Sequence, residues 1–426
     1  MSLLIKNTRF LDVIGEKIQE DMDLYIEGSR IAKIGKNLDI QADEVLDGRG
    51  KLVTPGFING HTHLGMSLLR NYADDLELQT WLEDAIWPIE AKLDREDIYW
   101  GSLLSMAEMI RSGATCFCDQ YYEMDRVGDA ALEIGMRGIL TRGLIEDGDK
   151  DLKLDQTRAL YQKYHKKGNG RLRVVPSPHA IYTCGEDYLK EIIDLAKEMD
   201  GVINIHMSET IKEVEDCKRD HYMTPIQYIE SLGMLDLHVI AAHCVHITEE
   251  EMDLVKNRRF YPIYNPSSNL KLASGFTPVQ KMLDKGIVMG IGTDGDSSNN
   301  NQNILEEIHI GSIVNKAVNM DPKALPAMEI LKMATINGAK ALGLEDQVGS
   351  IEEGKAADLT IFNLNSASFT PKNNLISALC YSAQAEDVES VLIDGEFVLK
   401  DRQLTKIDYD NLLKTVQDRK DQLVRR

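Results

Sequence analysis

Val53-Thr54-Pro55-Gly56-Phe57-Ile58-Asn59-Gly60-His61-Thr62-His63 is an apolar run that closes on two histidines one residue apart. Read as a strand, it delivers both imidazoles to its end, because residues i and i+2 point to the same face. Two neutral imidazoles on one face form half of a metal site. Zinc or iron accepts ring nitrogens at about 2.0–2.1 Å and needs further ligands to hold it. Alone, the pair also reads as two polar loop residues beside a turn, so its meaning depends on what the rest of the chain supplies.

Three further segments have the same grammar, an apolar strand that ends in a polar cluster. They are Val202-Ile203-Asn204-Ile205-His206-Met207-Ser208-Glu209, His238-Val239-Ile240-Ala241-Ala242-His243-Cys244 and Ile287-Val288-Met289-Gly290-Ile291-Gly292-Thr293-Asp294-Gly295. Each places an ionisable residue at the C-terminal end of a strand, where a (β/α)8 barrel builds its active site from converging loops. A single His206 or His243 would read as a satisfied structural histidine. Four such strand ends in one chain read as a site.

The flanks have a different texture. From Leu3 to about Asp47, short apolar stretches alternate with turn signals, as in Met22-Asp23-Leu24-Tyr25-Ile26-Glu27-Gly28-Ser29-Arg30-Ile31, without helical periodicity. The same pattern returns after Gly354, in Ala357-Asp358-Leu359-Thr360-Ile361-Phe362 and in Val388 to Val398. Between them, strands such as Leu172-Arg173-Val174-Val175-Pro176 alternate with helical stretches such as Gly185 to Met199 and Pro278 to Lys285. The expected fold class is therefore α/β. A (β/α)8 TIM barrel over 55–354 carries a composite β-sandwich domain, built from 1–54 and from 355–426 with a closing helix at Tyr409 to Arg426.

Composition narrows the function further. A chain of 426 residues with 43% hydrophobic content can bury a large core. The formal charge of -21 argues against nucleic acid or an anionic membrane as a partner, since both need a basic face. Neither a leader pattern nor a run of membrane-spanning length is seen, which makes the expected location cytoplasmic. The six cysteines are too scattered for a disulfide framework, and Cys116-Phe117-Cys118 reads as part of a buried strand rather than a metal motif.

Taken together, Pro55-Gly56-Phe57-Ile58-Asn59-Gly60-His61-Thr62-His63, His206-Met207-Ser208-Glu209, Ala242-His243-Cys244-Val245-His246 and Thr293-Asp294-Gly295 resemble the signature strand ends of the amidohydrolase superfamily. The resemblance runs nearly end to end and includes the split β domain. Within that superfamily, Trp81-Leu82, Trp87-Pro88-Ile89-Glu90, Ser177-Pro178-His179-Ala180 and Asp294-Gly295-Asp296-Ser297-Ser298-Asn299-Asn300 resemble deaminases of adenosine derivatives. Guanine and 8-oxoguanine deaminases and s-triazine hydrolases share most of these motifs. A deaminase or chlorohydrolase of another amino-heterocycle is thus the alternative reading.

The resemblance implies a hydrolase releasing ammonia from an adenosine derivative, with His61, His63, His206 and Asp294 as metal ligands and a coordination position left open for water. Binuclear relatives carry a bridging lysine at the end of the fourth strand. Here that strand reads Val174-Val175-Pro176-Ser177-Pro178-His179, so one divalent metal is expected, zinc ahead of iron. The implied division of labour makes His243 and Asp294 proton acceptors and Glu209 the acid that protonates the ring nitrogen. Residues three apart on a regular strand face opposite sides, so His206 and Glu209 share a site only if the strand ends and the chain turns through Met207 and Ser208.

For the substrate, a purine nucleoside, the resemblance assigns Glu90 to the ribose hydroxyls and His179 to the sugar or ring. Arg142 lies near the substrate's outer end, where its guanidinium would suit a carboxylate such as that of S-adenosylhomocysteine; a structural ion pair is the competing role. The following stretch, Asp147-Gly148-Asp149-Lys150-Asp151-Leu152-Lys153, carries lysines where some relatives place a second arginine. Trp81 reads either as a stacking wall or as helix packing, and Ser298 either as an orienting group for Asp294 or the substrate, or as a cap. His246 reads as loop structure, and His165, His221, His238 and His309 as surface or packing residues. A homo-oligomer is the usual expectation for soluble enzymes of this kind.

Overall fold

Ser2–Asp12 and Lys17–Glu27 pair as antiparallel strands, Leu3 opposite Ile26 and Ile5 opposite Leu24, and these four apolar side chains are buried. The computed structural model describes residues 2–76 and 80–426, and of Leu82 only the backbone. Both ends of the chain enter one sheet. Lys51–Pro55 pairs antiparallel with Leu359–Asn363, which pairs with Val388–Ile393. The segments expected as a β-sandwich thus hydrogen-bond as a single nine-stranded sheet. It curls over its own core, since the Ile31 peptide N–H donates to the carbonyl of Lys355, and Leu3, Ile5, Leu24, Val53, Ile361 and Leu392 are packed together.

The opening apolar run is not one strand. It is cut at Gly56: Lys51–Pro55 belongs to the outer sheet, whereas Phe57–His63 starts a parallel one. A Cβ at Gly56 would lie 2.2 Å from the Thr115 side chain, so the crossing point tolerates only glycine. The parallel strands form two arcs. One contains Phe57–His63, Ala114–Tyr121, Arg137–Leu144, Leu172–Val174 and Ser177–Pro178; the other contains Val202–Met207, His238–His243, Phe260–Tyr264 and Gly290–Ile291.

The arcs meet on both sides. At one seam the His206 peptide N–H donates to the His179 carbonyl at 3.0 Å. At the other, Gly290–Ile291 pairs with Phe260–Tyr264 while Asp294–Gly295, three residues on, pairs with Phe57–His63. The strand read over 172–176 is shorter, Leu172–Val174, with Ser177–Pro178 a separate piece, and the segment read as one strand over 287–295 is two, Gly290–Ile291 and Asp294–Gly295, whose break lets one chain segment serve both arcs. Helices cover the parallel strands, among them Glu186–Glu198 and Val279–Asp284, where the sequence pattern places them.

Two buried ionic clusters tie the parts together. Arg137, 2% exposed, donates to Asp358 at 2.7 and 3.1 Å and to Asp394 at 2.6 Å, joining a parallel strand to the outer sheet. Removing one partner of such a cluster leaves an uncompensated buried charge, at a cost of about 3–5 kcal/mol. Asp97, in the first turn of Arg95–Arg111, receives Arg419 and Arg426 and so docks the closing helix Tyr409–Leu423. Cys116 and Cys118 lie buried in Ala114–Tyr121, and all six cysteines are free. Among the described residues no helix is long and apolar enough to cross a membrane.

Candidate active site

The C-terminal ends of the parallel strands bring five ionisable side chains together. His61 and His63 come from one strand, with ring centroids 4.9 Å apart. Register pairing puts Met207 beside His243 and Asp294 beside Thr62, so His206, His243 and Asp294 end level with them. The rings of His61 and His206 are 4.8 Å apart, and those of His206 and His243 are 5.4 Å apart. Asp294 Oδ1 lies 3.2 Å from His63 Nε2 and 3.5 Å from His61 Nε2.

The hydrogen bonds behind these rings decide their protonation. His63 Nδ1 donates to the Gln120 carbonyl at 2.5 Å and His206 Nδ1 to the His179 carbonyl at 2.8 Å. Because a carbonyl only accepts, both neutral imidazoles carry their lone pair on Nε2. These two Nε2 atoms face each other at 3.3 Å. His61 is fully buried, yet neither ring nitrogen has a hydrogen-bond partner. Facing lone pairs beside a carboxylate, with an unbonded imidazole at full burial, fit a cation and little else. The ligand atoms of His61, His63 and His206, and those of His61, His243 and Asp294, lie within 4.8 Å of one another.

The electrostatics divide the imidazoles between those that shed a proton and the one that Asp294 favours in its charged form. Burial pushes His61 down to about 4, partly opposed by Asp294. Burial and the neighbouring imidazoles drive His206 well below its usual range. At His63 burial also acts downward, but the hydrogen bond and charge of Asp294 outweigh it and raise the group to about 9. Asp294, despite burial, is held well below the carboxylate range by His61 and His63. One carboxylate thus serves several imidazoles that cannot all take protons.

Three strand ends carry left-handed backbone: Ser208 at φ 48, His243 at φ 73 and Asp294 at φ 65. This region costs a non-glycine residue roughly 1–2 kcal/mol, and Asp and His are among the types that enter it most readily. At Ser208 the kink meets the requirement on Glu209. The strand runs one residue past His206, to Met207, and the chain then reverses at Ser208. Glu209 Oε2 consequently sits 3.8 Å from His243 Nε2, and Glu209 Oε1 is 3.5 Å from the Ser274 hydroxyl.

Around this centre, Glu90 is buried and its Oε1 accepts from the Tyr121 hydroxyl at 2.5 Å. Burial raises its pKa, against the pull of Tyr121. His179 packs its ring 4.8 Å from that of His206 and contacts Thr183 through Nδ1; burial and the surrounding histidines push it down to about 3. Arg142 binds only neutral acceptors, Gln156 Oε1 at 2.7 and 3.1 Å and the Gly143 carbonyl at 3.0 Å. Among the described residues it has no carboxylate partner, so the structural ion pair considered for it is not formed. Half of the stretch 147–153 is helix, since Asp149 caps Lys150–Tyr164. Lys153 turns inward to the carbonyls of Ile145 and Asp147.

Trp81 is buried and donates through Nε1 to the Ala73 carbonyl at 3.0 Å. The side chain of Leu82, quoted with it, lies outside the described residues. Ser298 Oγ donates to Asp294 Oδ2 at 3.1 Å, the orienting role, and not to a helix end. His246 bonds the Ser274 carbonyl as a loop residue, and His238 bonds the Ala341 carbonyl.

A family model described as "Amidohydrolase family" matches residues 52–398. The chain belongs to the amidohydrolase family. Over its full length it is 51% identical to 5-methylthioadenosine/S-adenosylhomocysteine deaminase of Thermoanaerobacter pseudethanolicus, with all of that protein covered. It is 43% identical to the protein of the same name from Carboxydothermus hydrogenoformans, over 97% of this chain and 96% of the relative. Among solved structures, a zinc-bound adenosine deaminase from Xanthomonas campestris superposes with a TM-score of 0.96 at 30% identity, covering 100% of this chain and 99% of that one. A triazine hydrolase from Arthrobacter aurescens, 23% identical, shares the fold at a TM-score of 0.92 over 98% of this chain and 99% of its own.

Several residues that shape this amidohydrolase's site were not apparent from sequence. His243 Nδ1 donates to Asn269 Oδ1 at 2.9 Å, which leaves the Nε2 lone pair facing Glu209. Ser268 Oγ donates to Asp294 Oδ2 at 2.6 Å. Both follow the strand Phe260–Tyr264, which ends in neither a histidine nor a carboxylate, and so the strand-end signal passed over it.

Proposed function

We propose that this amidohydrolase hydrolytically deaminates adenosine derivatives at C6, releasing the inosine derivative and ammonia. The observation that carries the reading is the meeting of Glu209, His243 and Asp294 around one cluster of imidazoles, in a chain related end to end to deaminases of this kind. The proposed scaffold is one closed (β/α)8 barrel over 55–354, formed by the two arcs, with 1–54 and 355–426 as its composite β domain. His61, His63, His206 and Asp294 would hold a divalent metal, zinc ahead of iron, which would supply Lewis acidity and lower the pKa of water from 15.7 towards about 7.

The protein's own groups move the protons. His243, whose Nδ1 proton is committed to Asn269, accepts a proton from the attacking water at Nε2. Asp294, its Oδ2 held by Ser268 and Ser298, assists as second acceptor. As the C–O bond forms at C6, negative charge builds on the adjacent ring nitrogen, and Glu209 protonates it. His243 then passes its proton to the exocyclic amine while Asp294 takes the remaining proton from the new C6 hydroxyl; the C–N bond breaks, ammonia leaves, C6 becomes a carbonyl, and the proton held by Asp294 restores the acid form of Glu209.

Glu90 receives the ribose hydroxyls and His179 the sugar or ring. With Tyr121 on one oxygen, the Glu90 carboxylate keeps the other for substrate. Glu90→Ala is expected to raise KM for nucleosides by about 10–100-fold, the worth of a charged hydrogen bond of roughly 1.5–3 kcal/mol, with a smaller change in kcat. Wild-type efficiency in this variant would remove the ribose contact.

Arg142 supplies a charge-bearing end wall. A half-buried guanidinium bonded, among the described residues, only to neutral acceptors accommodates a substrate carboxylate as its counterion. Arg142→Ala is expected to lower kcat/KM for S-adenosylhomocysteine by about 10–100-fold while changing methylthioadenosine by less than about threefold. Equal losses on both would assign Arg142 a structural role. The deciding assay for the function is the loss of adenine absorbance on S-adenosylhomocysteine, methylthioadenosine and adenosine, beside free adenine and guanine. Turnover of guanine with all nucleosides inert would overturn the reading.

A further inference from the structure

Glu209 is useful only if the chain reverses at Ser208, and what holds that reversal is a buried carboxylate further along the same segment. Glu213, 4% exposed, accepts from the Ser208 peptide N–H through Oε1 at 2.9 Å and from the Glu209 peptide N–H through Oε2 at 2.8 Å. It stands in the first turn of Ile211–His221, whose cap Thr210 receives the Glu213 peptide N–H at 3.1 Å. In an ordinary capping box the acid at this position reaches back to the peptide N–H of the cap itself. Here it reaches one and two residues beyond, to the two N–H groups that bracket the kink.

The carbonyl side of the turn is held as well. Ser208 O accepts from the His246 peptide N–H at 2.9 Å, and Met207 O accepts from that of Cys244 at 2.9 Å. By contrast the Ser208 hydroxyl is buried with no partner, so the side chain contributes nothing that would favour φ 48. The left-handed conformation is therefore held through its backbone groups, on the N–H side by the two bonds to Glu213 and on the carbonyl side by the peptide N–H groups of Cys244 and His246.

We infer that Glu213 is a positioning residue for Glu209: its carboxylate clamps the turn at Ser208 and so aims the Glu209 side chain at the reacting ring. The inference rests on Glu209 being the proton donor of the proposed reaction. Glu213→Gln keeps the volume but presents an NH2 group to one of the two peptide donors, so the clamp opens on at least one side. A displacement of about 1 Å at a reacting group is worth on the order of 10²-fold. Glu213→Gln is accordingly expected to lower kcat by about 10²-fold, with KM unchanged and the same metal content as wild type.

The test compares wild type, Glu209→Gln, Glu213→Gln and the double variant, each assayed for kcat, KM and bound metal. If Glu213 acts through Glu209, the double variant is no slower than Glu209→Gln alone, because a misaimed acid that is already absent has nothing more to lose. Multiplying losses, a wild-type kcat in Glu213→Gln, or a loss confined to KM would overturn the positioning role. Full turnover in Glu209→Gln would overturn the proton-donor reading, and this inference with it, which separates the two failures. Ser208→Gly in the Glu213→Gln background supplies a rescue, since glycine enters the left-handed region without steric cost. Recovery of about tenfold in kcat is expected from a relief of roughly 1–2 kcal/mol, and no recovery would count against the clamp. The same rescued variant carries the comparison if Glu213→Gln alone does not fold.

Discussion

Glu209→Gln should lower kcat on an adenosine derivative by about 10²–10⁴-fold, the usual worth of a positioned general acid, and leave the metal bound. Glutamine keeps the shape of the side chain and the contact with the Ser274 hydroxyl at 3.5 Å, but has no acidic proton to give. Metal content should be unaffected, because Glu209 faces His243 at 3.8 Å and makes no contact with His61, His63 or His206 among the described residues. Steady-state kinetics beside elemental analysis of the same preparation check both halves. A kcat within about fivefold of wild type, small against the usual acid contribution, would mean that the ring nitrogen takes its proton from another group.

His61→Ala is expected to abolish both metal retention and turnover. The residue is fully buried, and apart from Asp294 Oδ1 at 3.5 Å from Nε2 its ring nitrogens meet no partner, so the substitution removes little besides one ligand position. In the wild type, metal that binds only the folded state stabilises it by RT ln(1 + [L]/Kd), about 4 kcal/mol at a thousandfold excess over Kd. Chelation should therefore lower the wild-type Tm and leave that of His61→Ala unmoved, as differential scanning calorimetry with and without chelator would report. A variant that keeps stoichiometric metal and a chelator-sensitive Tm would exclude His61 from the ligand set.

The centre of the site was legible from sequence because it depends on local geometry. A strand repeats every two residues, so His61 and His63 had to share a face, and ionisable groups at strand ends had to meet wherever parallel strands align. That His206, His243 and Asp294 join them as one site was what the resemblance to the amidohydrolase superfamily implied. A composite β domain from both ends was expected because the alternation in 1–54 returns in 355–398, but it was read as a sandwich, and its pairing into one sheet was not legible.

What sequence could not decide depends on partners distant in the chain. Hydropathy runs unbroken through Gly56, but the Thr115 side chain behind it and the outer-sheet strand Leu359–Asn363 make it the crossing between two sheets. Asn269 and Ser268 are neutral polar residues like many others until folding sets them against His243 and Asp294. Arg142 could have closed an ion pair, and only the packed surroundings left it without an anion. Residue types and spacing thus determined which groups would carry the chemistry, since periodicity is a property of the local backbone. The tautomers, the left-handed turn under Glu209 and the carboxylate that holds it were decided by tertiary structure, because hydrogen-bond partners and backbone strain exist only once remote segments are packed together.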